Sequence, residues 1–151
     1  MKSWIVFLIV AAAFWPRTLS AQAPSGWSIL NDVTWGKAYN EKYKNYYVVP
    51  EFGEKPRQYE GKEITVTGYI VPMDPVQPFY VLSKNPYSSC FFCGQAGPET
   101  VIELILEADR SNKPRPYKLD EHLTFRGRLR LNAEDNRYLH YILEDARLVK
   151  Q

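Results

Sequence analysis

The two cysteines of this chain could do chemistry because only two residues separate them. Cys90 and Cys93 belong to the segment Cys-Phe-Phe-Cys-Gly at residues 90–94. Such a segment can turn tightly enough for both sulfurs to face one metal ion, and glycine tolerates the positive φ that the turn requires. Dithiols at this spacing also carry out thiol–disulfide exchange. The spacing therefore predicts either a pair of metal ligands or a redox pair.

The metal interpretation depends on the number of ligands. A structural zinc ion takes four ligands, and the chain supplies a single pair of cysteines. His122 and His140 are the only histidines and are the candidates to complete the site. Pairing of two such segments in a dimer is another route to four ligands. Zinc and cuprous copper both suit sulfur ligands, so these are the metals we expect.

Two other interpretations of the cysteine pair stay open. Thioredoxin-type redox proteins place the first cysteine at a helix N-terminus, but the turn-forming Gly94, Gly97 and Pro98 precede a strand-like run here. A local disulfide between Cys90 and Cys93 would close a very short loop and add little stability. A metal site is the leading hypothesis, a thiol–disulfide redox protein is the alternative, and an interaction module with a structural disulfide is the second alternative.

No other pattern in the chain predicts catalysis. It contains no hydrolase motif, phosphate-binding glycine loop or dinucleotide fingerprint. Glu99 is predicted to be a solvated loop carboxylate. A row of three arginines on one strand is predicted to pair with Glu103 or Glu107 on a neighbouring strand (Arg126, Arg128 and Arg130). We therefore expect a binding protein rather than an enzyme.

Alternating apolar residues predict five strands around the cysteine segment. These strands are 62–70, 79–82, 100–106, 123–131 and 138–143, the last continuing irregularly to 149. Gly68, inside the first strand, predicts a bulge or a sharp bend, as at the corner of a small barrel. Five strands without a long helix between them predict a mainly β protein, a small OB-like barrel spanning residues 62–151. A β-sandwich fragment is the alternative.

Residues 22–61 are predicted to form a partly helical N-terminal extension that packs on the barrel. The apolar residues of 27–35 stand at mixed spacing and predict a short helix. Tyr39 and Tyr43 stand at helical spacing, which predicts that the tyrosines up to Tyr47 share a packed face over one end of the barrel. An aromatic ligand shelf is the alternative for these tyrosines.

The first residues predict export. Lys2 precedes an uncharged apolar run at residues 4–14, and small residues follow at Ser20 and Ala21. This is the pattern of a secretory signal peptide over residues 1–21, cut after Ala21. The run is shorter than the roughly 20 apolar residues that span a bilayer. We therefore expect a periplasmic or secreted protein without stable membrane insertion.

The charge balance bears on the partners of the protein. Residues 1–21 contain Lys2 and Arg17 and no acidic residue, so cleavage lowers the 19 basic residues to 17, equal to the 17 acidic residues. Proteins that bind nucleic acid usually show a basic footprint, so no nucleic-acid partner is expected. A periplasmic protein is the kind of partner that stays open.

Several motifs around the cysteine segment carry a family resemblance. They are the sequence GYIVP at 68–72, preceded by Gly61-Lys62, the sequence FYVL at 79–82, and the cysteine segment through GPE at 97–99. With these motifs and a tryptophan-bearing stretch at 27–35, residues 27–107 resemble a family of exported bacterial proteins classified as a domain of unknown function. The resemblance implies a periplasmic location and a small β-barrel. It assigns no catalytic residue.

Overall fold

A computed structural model gives the structure of residues 25–42, 44–74, 79–107 and 117–149. The predicted signal peptide at 1–21 and Tyr43 lie outside the described residues. Within these ranges no helix is both long and apolar enough to cross a membrane.

Five strands close into a barrel, preceded in the chain by a hairpin and two short helices. The elements are α1 (Gly26–Leu30), β1 (Val33–Asn40), β2 (Asn45–Phe52), α2 (Glu54–Tyr59), β3 (Glu63–Pro72), β4 (Tyr80–Ser83), β5 (Val101–Leu106), β6 (His122–Leu131) and β7 (Tyr141–Leu148). The barrel order is β3-β4-β5-β7-β6, and β5 and β7 form its parallel pair. The mainly β class and the five-stranded, OB-like barrel are confirmed.

The period-two patterns of β3 and β6 decide which side chains enter the barrel. On β3, Ile64, Val66 and Ile70 are 5%, 0% and 0% exposed. On β6, Phe125 and Leu129 are fully buried. Burial of apolar side chains of this size contributes about 1.5–3 kcal/mol each. The same core takes in residues that precede the barrel in the chain, from α1 and β2 (Trp27, Ile29, Leu30 and Phe52).

Strand β3 passes from one neighbouring strand to another directly after Gly68. It pairs with β6 as far as Tyr69 and with β4 from Tyr69 to Pro72. A Cβ atom on Gly68 would collide with the carbonyl oxygen of Ser83 on β4. Glycine is required for this close approach of two backbones. The corner predicted at Gly68 is thus the point where β3 changes partner.

A second, smaller core lies on the outer face of the barrel. Val71, Val81 and Val101 point away from the barrel interior, yet they are at most 2% exposed. Half-buried side chains from outside the sheet cover them (Phe79, Phe91, Phe92 and Leu139). This cover buries Val81 on the outer side of β4 while Tyr80 and Leu82 enter the barrel core, so β4 is buried on both faces. The cysteine loop, defined here as residues 84–100, is therefore packed onto the barrel.

The segment between the two helices is a β-hairpin, β1–β2. Its antiparallel register places Tyr39 opposite Tyr46, with ring centroids 5.0 Å apart. Tyr39, Tyr46 and Tyr47 are 44%, 71% and 45% exposed, so the predicted packing of these tyrosines over the barrel end is wrong. Residues four apart share a face in a strand as well as in a helix, so the spacing did not discriminate between the two.

Candidate functional site

Residues 90–94 form a tight turn on the cysteine loop. A single 3₁₀ turn spans Phe91–Cys93 and begins from Cys90. The carbonyl oxygen of Cys90 accepts hydrogen bonds from the backbone N–H groups of Cys93 and Gln95, at 3.2 and 3.3 Å. Gly94 has φ 71° and ψ 16°, a left-handed conformation that favours glycine. The predicted tight turn with a positive φ at its glycine is confirmed.

The two thiols of this turn differ in exposure. Cys90 is buried and Cys93 is exposed, and no disulfide joins them. The Cys93 sulfur points back into the loop, where its thiol donates to the carbonyl oxygen of Tyr87 at 3.0 Å. Partial removal of this sulfur from water raises the pKa of Cys93, and the neighbouring Cys90 raises it further. A raised pKa leaves a smaller fraction of Cys93 as thiolate at neutral pH.

Hydrogen bonds of two backbone N–H groups hold the first part of the cysteine loop in place. At the base, the N–H of Lys84 donates to the carbonyl oxygen of Thr100 at 2.9 Å. Further along, the N–H of Tyr87 donates to the Asp120 carboxylate at 2.8 Å. Together with the apolar cover beneath the loop, these bonds fix the backbone that carries both sulfurs.

A buried carboxylate holds a second loop, residues 132–140, on the same outer face. Glu103 on β5 is 4% exposed, and its Oε2 accepts the N–H of Leu139 at 2.9 Å. Burial raises the pKa of Glu103, while the hydrogen bond from Leu139 and the charge of Arg130 oppose that rise. From the sequence Glu103 was predicted only as a partner for the arginine row, and no local signal links it to Leu139, 36 residues away.

Asn132 organises the 132–140 loop from within. It is 8% exposed, and its Nδ2 atom donates to three carbonyl oxygens of the loop (Asp135 at 2.7 Å, Tyr138 at 3.3 Å and Leu139 at 3.1 Å). Residues 138–140 therefore belong to this loop. The last strand consequently begins at Tyr141, three residues later than predicted.

The two histidines lie apart from the cysteine pair. His140 packs against Trp35, with ring centroids 5.3 Å apart, and His122 packs against Tyr69 at 4.6 Å. Throughout the described ranges, no three or more His, Cys, Asp or Glu side chains form a group that could hold a metal ion. The structure therefore brings neither histidine to the two thiols.

A cleft of about 460 Å³ separates β1 from the C-terminal end of the cysteine loop. Trp35 and Glu99 line it, and the indole Nε1 of Trp35 donates to Glu99 Oε2 at 3.1 Å. Glu99, predicted to be a solvated loop carboxylate, is half-buried and hydrogen-bonded to Trp35. Its partner lies 64 residues away in the chain, and no sequence signal links the two.

Two of the three arginines of β6 pair with acidic residues of β7, while Arg126 donates to the hydroxyl of Thr65 on β3. Arg128 and Arg130 lie 3.1 and 2.8 Å from carboxylate oxygens of Glu144. The predicted partners, Glu103 and Glu107, belong to β5 and the residue that follows it. That assignment is wrong because β7, and not β5, is the neighbour of β6 in the barrel.

Comparison with known proteins finds no match. No protein-family model matches the chain, and neither does any curated protein or solved structure. These comparisons do not test the family resemblance of residues 27–107, which stays a prediction. Function is therefore argued from the geometry of the cysteine loop.

Proposed function

We propose that this chain is an exported periplasmic β-barrel protein that binds a thiophilic metal ion through Cys90 and Cys93. The turn at residues 90–94 carries this proposal, since left-handed Gly94 closes it with one cysteine at each end, and the thiol of Cys93 is held by its bond to the carbonyl oxygen of Tyr87. Soft thiolate ligands select ions such as Cu(I) and zinc. Export is supported by the signal-peptide pattern of residues 1–21.

Cuprous copper fits this donor set better than zinc. Two sulfurs complete a linear coordination of Cu(I), whereas structural zinc takes four ligands. In the described part of the chain no histidine or carboxylate joins the two cysteines to make a group of three. A zinc site would therefore need ligands from a second molecule. When the ion is bound, it is held by the thiolate forms of both cysteines.

The surroundings of the turn support a preformed site. The carbonyl oxygen of Cys90 fixes the turn through two backbone hydrogen bonds, the bond from Lys84 to Thr100 closes the ends of the loop, and Tyr87 anchors the loop to Asp120. Sites whose ligands are held in place by the backbone lose less conformational freedom on binding. Because Cys90 is buried and Cys93 is exposed, the ion would enter from the Cys93 side.

Native mass spectrometry tests this proposal. The mature protein is reduced, freed of metal with a chelator and titrated with Cu(I) without oxygen. We expect wild type to retain a single ion per chain, and Cys90→Ser and Cys93→Ser to retain none, because each substitution removes one of the two sulfurs. Ser88→Ala is the matched control, since Ser88 is an exposed residue of the same loop. A Cys93→Ser variant that keeps copper at the wild-type level would contradict the proposal.

Thiol–disulfide exchange is the second candidate, and the unequal exposure of the two cysteines favours it. The Cys93 thiolate would attack a partner's disulfide and release one partner thiolate. Cys90 would then attack the Cys93 sulfur, form the intramolecular disulfide and release the second partner thiolate. The raised pKa of Cys93 opposes the first step.

Equilibration with glutathione buffers, followed by thiol trapping and mass measurement, tests this second candidate. A redox protein is expected to cycle at a potential well above the roughly −300 mV below which structural disulfides lie. Failure of the pair to cycle in these buffers would reject it.

A further inference from the structure

The β1–β2 hairpin leaves a strand edge and an apolar surface without cover. In the described ranges its sheet has only two strands, so β2 has a single neighbour. Four large side chains of the hairpin are exposed (Tyr39 44%, Tyr46 71%, Tyr47 45% and Val48 47%). An exposed apolar edge strand is a template for pairing with another chain.

The alternation of the hairpin ladder identifies the free backbone groups of β2. The N–H of Gly53 donates to the carbonyl oxygen of Asp32 at 2.8 Å, in continuation of the ladder. Because bonded and non-bonded pairs alternate in an antiparallel ladder, the N–H and C=O groups of Tyr46 and Val48 point away from β1. Pro50 occupies the next outward position, which suits a residue that has no N–H to donate.

We infer that β2 pairs with the β2 strand of a second copy of this chain, around a two-fold axis at Tyr47. In this antiparallel register, Tyr46 lies opposite Val48 of the second copy, and the reverse holds by symmetry. Each of these pairs exchanges two backbone hydrogen bonds, which use the outward-pointing groups. The side chain of Tyr47 meets its own counterpart on the other face of the combined four-stranded sheet.

The side chains along the two edges of the hairpin favour self-pairing through β2 and disfavour it through β1. On β1 the outward position at the strand centre is Lys37, so a two-fold axis there would place like charges opposite each other. On β2 the paired positions are tyrosine and valine, and aromatic and β-branched side chains pair favourably across strands. Pro50 ends the pairing toward the barrel because it offers no donor. The edge is therefore self-complementary over a short, defined length.

The exposed area fits a weak, reversible dimer. If a whole tyrosine presents about 200 Å², the four exposed side chains leave roughly 400 Å² uncovered in each copy. Two copies would bury at most roughly 800 Å² of these side chains, below the ~1,200 Å² at which stable interfaces begin. We therefore expect a dimer dissociation constant in the micromolar range or above, so that the dimer forms only at high protein concentration.

Hydrogen exchange of the wild-type protein tests the pairing without any substitution. The amides of Tyr46 and Val48 point outward and are expected to gain protection as the protein concentration rises. The amides of Tyr47 and Val49 face β1 and are the internal control, because their protection should not depend on concentration. Sedimentation over the same range measures the dimer. A monomeric mass with exchange at Tyr46 and Val48 that never changes would overturn the proposal.

A charge swap tests the position of the two-fold axis. Tyr47→Lys and Tyr47→Glu each place like charges opposite each other, so each alone should raise the dimer dissociation constant about 100-fold. An equal mixture of the two should restore dimerisation to within about tenfold of wild type. Lys37→Glu on β1 is the matched control and should leave the dimer unchanged. Circular dichroism checks that each variant is folded.

Two outcomes of these experiments would overturn the proposal. One is a mixture of the Tyr47→Lys and Tyr47→Glu variants that does not dimerise although wild type does. The other is a wild type that stays monomeric and gains protection at Tyr46 and Val48 only in periplasmic extract. That second outcome would assign the edge to strand addition by a different protein.

Discussion

The cysteine loop and the β1–β2 hairpin are two excursions from the same barrel, and they differ in what lies beneath their apolar side chains. Phe91 and Phe92 of the loop pack on the outer face of β3, β4 and β5, where Val81 is fully buried. The base of the hairpin reaches the core through Phe52, but Tyr46 near its tip is 71% exposed. Apolar side chains hold a segment against the barrel only where a face of the sheet is available to bury them.

This difference separates two kinds of function. The covered loop holds Cys90 and Cys93 on a fixed backbone, which is what a preformed ligand site requires. The uncovered hairpin keeps its edge and its tyrosines available, which is what assembly requires. The two proposals can therefore be tested separately, because a change in one region should leave the other unaffected.

The same substitution in the two regions should give the largest contrast. Val81→Ala removes buried groups at a position with 0% exposure and should lower the free energy of unfolding by about 2 kcal/mol. Val48→Ala, at 47% exposure, should change it by less than about 0.5 kcal/mol. Urea unfolding at low protein concentration measures both. Equal costs would show that the loop does not cover the outer face as described.

Two glycines with positive φ give a contrast of intermediate size. Gly94 (φ 71°) and Gly61 (φ 73°) both have open space where a Cβ would lie, so alanine costs only backbone strain at either position. Each substitution should lower the free energy of unfolding by about 1 kcal/mol. Only Gly94→Ala should also weaken Cu(I) binding, measured by competition with a copper chelator. Equal copper affinity in the two variants would show that the turn at Gly94 does not contribute to metal binding.

The buried carboxylate of β5 should give the smallest effect, and one that depends on pH. Because folding raises the pKa of Glu103, its contribution to stability is fully present below the unfolded value of about 4.3 and is lost as pH rises through the folded value. Glu103→Gln removes this loss and keeps an oxygen to accept the N–H of Leu139. We therefore expect the variant to gain stability relative to wild type as the pH increases.

Urea unfolding of both proteins between about pH 4 and pH 8 measures this difference. If the stability difference between the two proteins is the same at every pH, the pKa of Glu103 is not raised on folding. Loss of the 132–140 loop in the variant, seen as faster amide exchange at Leu139, would show that the charge itself is needed to hold that loop.

The barrel could be predicted from the sequence because its signal is local. In β3 and β6, alternate residues such as Ile64 and Phe125 enter the core, and the period of two is visible within nine or ten consecutive residues. The tight turn at the cysteines was equally local, since Gly94 directly follows Cys93. The hairpin could not be predicted from the sequence, because the spacing of Tyr39 and Tyr43 fits one face of either a helix or a strand.

The amino-acid sequence by itself determined the barrel strands, the corner at Gly68 and the turn that carries the two thiols. Each of these follows from the conformational preferences of neighbouring residues. Only the tertiary structure decided that the cysteine loop is covered and the hairpin is not. The contacts that matter, such as Trp35 with Glu99 and Glu103 with Leu139, join residues 64 and 36 positions apart. Such pairs form only when the closed sheet brings its outer face, the loops and the hairpin base together.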